Sequence, residues 1–414
     1  EKYNHLLIDE YQDLNVIERN VIQRIFNCNK TFVGDINQKL FKQDGYVFNY
    51  EDSDNVKLKE EISFYDKNGI QCKKIDKLPI NFLIKSGIRI KDCSYSFNPY
   101  KYLVKLKNIL KDRINIYENT RAIEVKRVAD YYIVKTDKDK IIRSKNVVIA
   151  TQYPFFIIPY FTPFKTTVEK SFIVGGESDV YNFQAINDEK TTFSFNYYNE
   201  DNGYLLYSRR SHSITTHLDT RDDREEIVSE YKKFFNKNPQ YYFQNHDLMT
   251  YDYMPFVGNV DNHNMYILTG FNKWGNTNGI IGGKIISDLI LGNENEYTQL
   301  FNPRRNVSML KIKNLIIYNT KVMSRYILNK IVSNKYFYDD RVRIEYIDGK
   351  KCGIYTDDNG EHIVSNICPH MKCNLVFNYV DKTWDCPCHA SRFDIDGNVI
   401  YGPSVYDIKI NKES

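Results

Sequence analysis

The 414 residues suffice for two or three domains, each with its own core, and 42% hydrophobic against 27% charged residues, with a mean hydropathy of −0.54, is the balance of a soluble protein. The 57 basic and 53 acidic side chains leave a net charge of +4, too small to call for nucleic acid or anionic lipid as a partner. No apolar run is long enough to cross a bilayer and no secretory signal opens the chain, so a cytoplasmic location is expected; the start at Glu1 rather than methionine suits a piece of something longer.

In chain order, HLLIDEYQDLN (5 to 15) reads as a short strand running into Asp9-Glu10, and FVGDINQKLF (32 to 41) repeats the pattern into Gly34-Asp35. Carboxylates at strand ends suit magnesium. The pair resembles motifs II and III of UvrD/Rep-type helicases, which implies Mg2+ binding for Asp9, water activation for Glu10 and sensing of a terminal phosphate for Gln38. The phosphate-cradling GxxxxGK[ST] loop occurs nowhere in the chain, so residues 1 to 45 read as a helicase-like fragment without ATPase activity. A fragment of an ATP-driven motor is the alternative, and a solvated strand and helix with acidic caps the plainer one.

From about residue 50 the character changes. VKLKEEISFYDKNGI has helical spacing and ends at Gly69; PYKYLVKLKNILKD (99 to 112) is a second helix with Tyr102, Leu103, Leu106, Ile109 and Leu110 on one side. INIYENTRAIEVKR, YYIVKTD and NVVIATQYP read as strands, the last a buried run ending at Ala150-Thr151. FSFNYYN, GYLLYSRR and HSITTHL continue a β-rich region, RDDREEIVSEYKKFF is a helix, and MYILTGFNKWGNTNGIIGGKIISDLIL is a strand, a Gly-rich turn and a long helix.

This order resembles the FAD-dependent amine and amino-acid oxidoreductases of the D-amino-acid oxidase type, in the subgroup with a C-terminal Rieske domain, on the segments NPYKYL, IYENTR, VVIATQYP, YDYMPFVGN and TGFNKWGNTNGIIGG. The resemblance places Val125 on the strand that meets the adenine and Ala150-Thr151 beside the pyrophosphate. It lays the turn Gly270, Lys273, Trp274, Gly275, Asn276 and Thr277 over the flavin, where Gly275, Gly279 and a helix N-terminus suit a close, electron-rich cofactor. It also implies an amine or amino-acid substrate and a redox partner. The opening GxGxxG unit of that family is absent from the sequence, so poor FAD binding is expected. Tyr100, His212, His217, Tyr253, Lys273 and Trp274 are the substrate-side candidates; for each, core packing or exposure is the plainer account.

VSMLKIKNLIIYNTKVMSRYILNKIV carries apolar residues at helical intervals and reads as a connector, with an interfacial membrane helix as the alternative. After it come Cys368-Pro-His370 and Cys386-Pro-Cys-His389, one Cys and one His offered from each of two neighbouring loops. Two thiolates on one iron and two imidazoles on the other is the ligand set of a Rieske [2Fe-2S] centre; a Cys2His2 zinc site is the competing reading. The spacing resembles the Rieske family. That resemblance implies Cys368 and Cys386 on one iron, His370 and His389 on the other, a disulfide between Cys373 and Cys388, a hydrogen bond from Ser391 towards cluster sulfur, and a shielding proline loop at Gly402-Pro403. Lys372 and Ala390 stand where many relatives have glycine. Cys28, Cys72, Cys93 and Cys352 read as buried apolar residues.

The expected fold is therefore α+β: a helicase-like fragment over 1–45, a truncated D-amino-acid oxidase-like body over 46–306, a connector over 307–338 and an all-β Rieske domain over 339–414.

Overall fold

The computed structural model describes residues 5–6, 29–30, 42–50, 56–95, 98–155, 165–178, 183–187, 193–198, 204–214, 219–305, 316–317, 319–324, 327 and 339–410. Asp9, Glu10, Gln38, His217, Cys28 and most of the connector lie outside them. The elements run β1 (His5–Leu6), β2 (Asn29–Lys30), β3 (Lys42–Asn49), α1 (Val56–Lys67), β4 (Cys72–Lys77), β5 (Leu83–Tyr95), α2 (Pro99–Leu110), β6 (Ala122–Val128), β7 (Tyr131–Thr136), β8 (Ile141–Ser144) and β9 (Val147–Gln152). They continue with β10 (Thr166–Glu177), β11 (Phe183–Asn187), β12 (Phe193–Tyr198), β13 (Tyr204–Ser213), α3 (Arg221–Phe235), β14 (Tyr241–Thr250), β15 (Phe256–Asn259), β16 (Met265–Thr269), α4 (Gly275–Leu291) and α5 (Thr298–Phe301). The last part is all strand: β17 (Val342–Ile347), β18 (Lys350–Asp357), β19 (Gly360–Ser365), β20 (Val376–Asn378), β21 (Thr383–Asp385), β22 (Arg392–Phe393) and β23 (Val399–Tyr401).

An eight-stranded sheet has the order β14-β10-β13-β12-β11-β3-β5-β4. Two compact units divide the chain: residues 1–117, 171–211 and 222–245 in the first, and 118–170, 212–221 and 246–414 in the second. The core of the first unit is aromatic. Phe195 stacks on Tyr207 at 5.1 Å and Phe82 meets Phe234 edge-on at 4.9 Å, so much of the chain's Phe and Tyr serves packing. Helix α2 starts where Asn98 accepts a hydrogen bond from the Lys101 N–H at 3.1 Å, with Pro99 in the first turn. Its expected apolar side is not buried: Leu103 and Ile109 are 58% and 56% exposed.

In the second unit, β15 and β16 pair antiparallel and β16 and β9 pair parallel. Helix α4 lies close on β16 because Gly282 has no side chain; a Cβ there would stand 2.1 Å from Leu268 Cδ1. The meander β6-β7-β8 packs through Val125 and Tyr132 onto Ile149 and Ile267. Two expectations are corrected here. Residues 114–119 form no strand, and β9 is not buried along its length: Ile149, on the face that packs with Val125 and Tyr132, is buried, whereas Val148 and Ala150 on the opposite face are exposed. Cys352 is buried, whereas Cys72 is only partly so.

The C-terminal region holds a three-stranded sheet, β17-β18-β19, and a four-stranded one, β20-β21-β22-β23. Trp384 fills the core between them. A Cβ on Gly353 would come within 2.5 Å of its ring, so the indole rests directly on bare backbone of β18.

Candidate metal centre and cofactor face

Two tight loops carry the ligand candidates. In the first, the Cys368 N–H donates to the Cys373 carbonyl at 2.8 Å and the Lys372 N–H to the Cys368 carbonyl at 2.9 Å. In the second, the Cys386 N–H donates to the Ser391 carbonyl at 2.8 Å and the Ala390 N–H to the Cys386 carbonyl at 3.0 Å. Each loop turns through a residue of positive φ, Lys372 at 58° and Ala390 at 68°, which is the backbone reason glycine suits those two positions. A Cys373–Cys388 disulfide ties the loops together.

Across the two loops the four ligand candidates form two pairs, thiol with thiol and imidazole with imidazole. Cys368 and Cys386 are buried, free of disulfides, and hydrogen-bonded to each other. That bond draws the Cys368 thiol down to about 7, against burial, and pushes Cys386 well up. The rings of His370 and His389 meet edge-on with centroids 5.0 Å apart. Both Nδ1 atoms are buried with no hydrogen-bond partner. Burial lowers both imidazoles, and for His389, which falls to about 4, the repulsion that a second proton on neighbouring His370 would meet adds to it, so both stay neutral at pH 7. Unpartnered buried nitrogens beside two thiols are what a metal group would satisfy. The sulfurs of Cys373, Cys386 and Cys388 also lie within 4.8 Å of one another, but the disulfide removes two of them as thiolate ligands. Ser391 hydrogen-bonds Cys368, and its Oγ accepts from the Ser404 N–H at 2.9 Å, just past the cis Gly402-Pro403 bond.

Around this centre lies a buried ionic group that sequence reasoning missed. Asp385, next to Cys386, accepts from Arg392 Nε at 3.0 Å and Asn378 Nδ2 at 3.1 Å, and pairs with Lys170 of β10 at 3.4 Å. Burial pushes its carboxyl up, yet Arg392 and Lys170 outweigh that and hold it well below the usual carboxylate range. Arg392 also binds Asp381. Lys170 did leave a signal: it stands in the inward phase of the alternating run Val168, Lys170, Phe172, Val174. His246, from β14, is 2% exposed with neither ring nitrogen hydrogen-bonded, although the ring stands beside the Ala390 backbone; burial and then the charge of Lys170 lower it to about 3.

The stretch expected to meet the flavin is a glycine-marked turn leading into α4. Helix α4 begins at Gly275 after Trp274, which makes no side-chain cap, and a Cβ on Gly275 would meet nothing within 4 Å. The start of α4 thus has room beside Gly275, and a helix's first turn carries N–H groups with no partner in the helix, a combination that suits an electron-rich ring. Gly270 has φ 70° and admits no side chain beside Thr250. Asn276 is exposed and Thr277 buried; Ala150 and Thr151 are exposed at the end of β9, and Val125 is half-buried in the core of the meander. Lys273 pairs with Glu169 at 3.1 Å. Tyr253 is 62% exposed and His212 half-buried in the same unit, while Tyr100, 74% exposed, belongs to the other.

A family model for FAD dependent oxidoreductases matches residues 30–289. The chain belongs to that family. A Rieske [2Fe-2S] domain model matches residues 329–411, and a UvrD/REP helicase N-terminal domain model residues 1–56. The protein YhfW of Bacillus subtilis (strain 168), described as a Rieske 2Fe-2S iron-sulfur protein, is 27% identical over 386 residues, 89% of this chain and 74% of that one. The cytochrome b6-f complex iron-sulfur subunit 2 of Trichormus variabilis is 40% identical over 47 residues, 11% of this chain and 26% of its own. Among solved structures, glycine oxidase from Geobacillus kaustophilus aligns with a TM-score of 0.53 at 11% identity, covering 65% of this chain and 76% of that one. L-proline dehydrogenase from P. horikoshii does so with 0.53 at 17%, covering 64% and 77%. The fold is therefore an amino-acid-oxidase-like body followed by a strand-rich Rieske region. The chain is a redox protein whose families imply a [2Fe-2S] cluster and FAD.

Proposed function

We propose that the C-terminal domain holds a [2Fe-2S] cluster, with Cys368 and Cys386 on one iron and His370 and His389 on the other, and passes single electrons to an external one-electron acceptor. The observation that carries this is that two disulfide-linked loops each supply one free buried thiol and one imidazole with a buried, unpartnered Nδ1, the thiols paired with each other and the imidazoles with each other. Neutral imidazoles on one iron raise the cluster's potential above that of an all-thiolate one. Ser391, bonded to the Cys368 sulfur, raises it further by drawing charge from the ligand. Purified protein should show iron and acid-labile sulfide together with the rhombic EPR signal of a reduced Rieske centre at low temperature; a colourless, zinc-containing protein rejects the assignment.

FAD in this family supplies hydride acceptance from the substrate. In this chain the α4 terminus and the Gly270 turn offer the flavin-ring end of that site, while the GxGxxG turn that would seat the pyrophosphate is not in the sequence. We infer weak FAD retention, and an amine or amino acid as the substrate class, by analogy with the oxidase and dehydrogenase neighbours. Flavin absorbance near one equivalent per purified chain overturns the first of these. A cytoplasmic site of action accords with this chemistry, and no helix among the described residues is long and apolar enough to cross a membrane. Neither nucleic acid nor ATP is a proposed ligand, since the sequence has no phosphate-cradling loop to accompany Asp9, Glu10 and Gln38.

A further inference from the structure

We propose that the cluster domain is locked in a single pose on the part of the oxidoreductase body that shares its compact unit and does not swing as a carrier, with Lys170 and Tyr401 as its positioning residues. The pose is argued within the second compact unit, where five separate ties join body to cluster domain. Lys170, 3% exposed, pairs with Asp385. Thr220 Oγ1 donates to Asn378 Oδ1 at 3.2 Å. Arg121 donates to the Val405 carbonyl at 2.8 Å and lies 3.5 Å from Asp407. Tyr401 Oη donates to the His246 carbonyl at 3.2 Å, and that same carbonyl accepts from Gln152 Nε2 at 2.7 Å. Ala390, adjoining the His389 ligand, packs in a buried cluster with Tyr153, Val168, Ile214 and Leu248.

A domain that detaches in each cycle needs two faces that are each content in water. Here separation would leave an inward-facing lysine without its carboxylate and would wet the apolar seat of Ala390. The His246 carbonyl is the junction: the end of the cofactor-side strand β9 reaches it through Gln152, and the strand leading into Gly402-Pro403 reaches it through Tyr401. The cluster loop is thus held at a set distance from the end of β9.

The inference rests on the cluster assignment for its meaning, and hydrogen exchange read by mass spectrometry on the full chain tests it separately. Peptides carrying residues 165–170 and 381–393 should be protected together in the native protein. Lys170→Met should speed exchange in both by about tenfold while the EPR g-values of the cluster stay unchanged. Tyr401→Phe, which keeps the ring and loses one hydrogen bond, should speed exchange in peptides around 246–250 and 399–403 together. Peptide 381–393 staying unchanged in Lys170→Met, or only one side responding in Tyr401→Phe, overturns the proposal. If Lys170→Met does not fold, the Tyr401→Phe result decides. A missing EPR signal in the native protein rejects the cluster, and the exchange pattern still judges the pose.

Discussion

Tyr401 and His246 meet twice: the phenol donates to the His246 carbonyl at 3.2 Å, and the two rings cross at 80° with centroids 5.5 Å apart. The contact fills one side of the His246 ring with an aromatic edge and leaves its nitrogens without donors or acceptors.

That setting makes His246 an acid-sensitive group. Its folded pKa, about 3, lies below its ordinary 6.5, so the unfolded chain binds the extra proton and stability rises with pH between those values. The contribution is fully present above pH 6.5 and is lost on acidification towards pH 3, at up to about 1.4 kcal/mol per pH unit. Asp385, also depressed, adds its own loss only below its ordinary 3.8. Denaturant unfolding at a series of pH values should therefore show His246→Phe losing less stability than the native protein between pH 6 and pH 4; parallel curves would show that His246 is already protonated in the fold.

His389→Ala and Cys386→Ser should each abolish the rhombic EPR signal and lower bound iron, because removing one ligand leaves an iron incompletely held. His362→Ala, which removes a half-buried histidine paired with Asp396, should leave the signal in place. An unaltered spectrum in either ligand variant would remove that residue from the site.

Lys372→Gly should stabilise the cluster domain. The lysine is exposed and holds φ at 58°, a conformation that costs an L side chain roughly 1–2 kcal/mol, so a net gain of about 0.5–1 kcal/mol is expected once the roughly 0.4–1 kcal/mol of added freedom of the unfolded glycine is subtracted. The midpoint of denaturant unfolding reports it, and a lower midpoint would show that the lysine side chain holds the loop.

Gly353→Ala should do the opposite. The new methyl would stand 2.5 to 2.8 Å from three atoms of the Trp384 ring, and neither backbone nor indole has room to retreat, so a loss of about 1–3 kcal/mol is expected. Near-ultraviolet circular dichroism of Trp384 should change with it.

The part of the site legible in the sequence is the part that chemistry confines to short spacing. Metal ligands must come as Cys and His, and two loops of fixed length deliver them, so Cys368, His370, Cys386 and His389 stood out without a fold. Lys372 and Ala390 could be marked as departures, though only the backbone angles show what the departure costs. The Gly-rich entry to α4 was similarly local. Lys170 and Tyr401 were not found, because their partners lie 215 and 155 residues away in the chain, and no local pattern announces a partner at that range. The apolar run ending at Ala150-Thr151 read as buried, since composition cannot tell a strand covered on both faces from one whose uncovered face happens to be apolar. Strand β8, four residues long, was too short to show a period.

The buried lysine in the inward phase of β10 bears on how such chains can be recombined. A Rieske module grafted after the connector without a carboxylate at the place of Asp385 would strand the Lys170 cation in the interior. Exchange of the module therefore requires either that this carboxylate be kept or that Lys170 be changed with it.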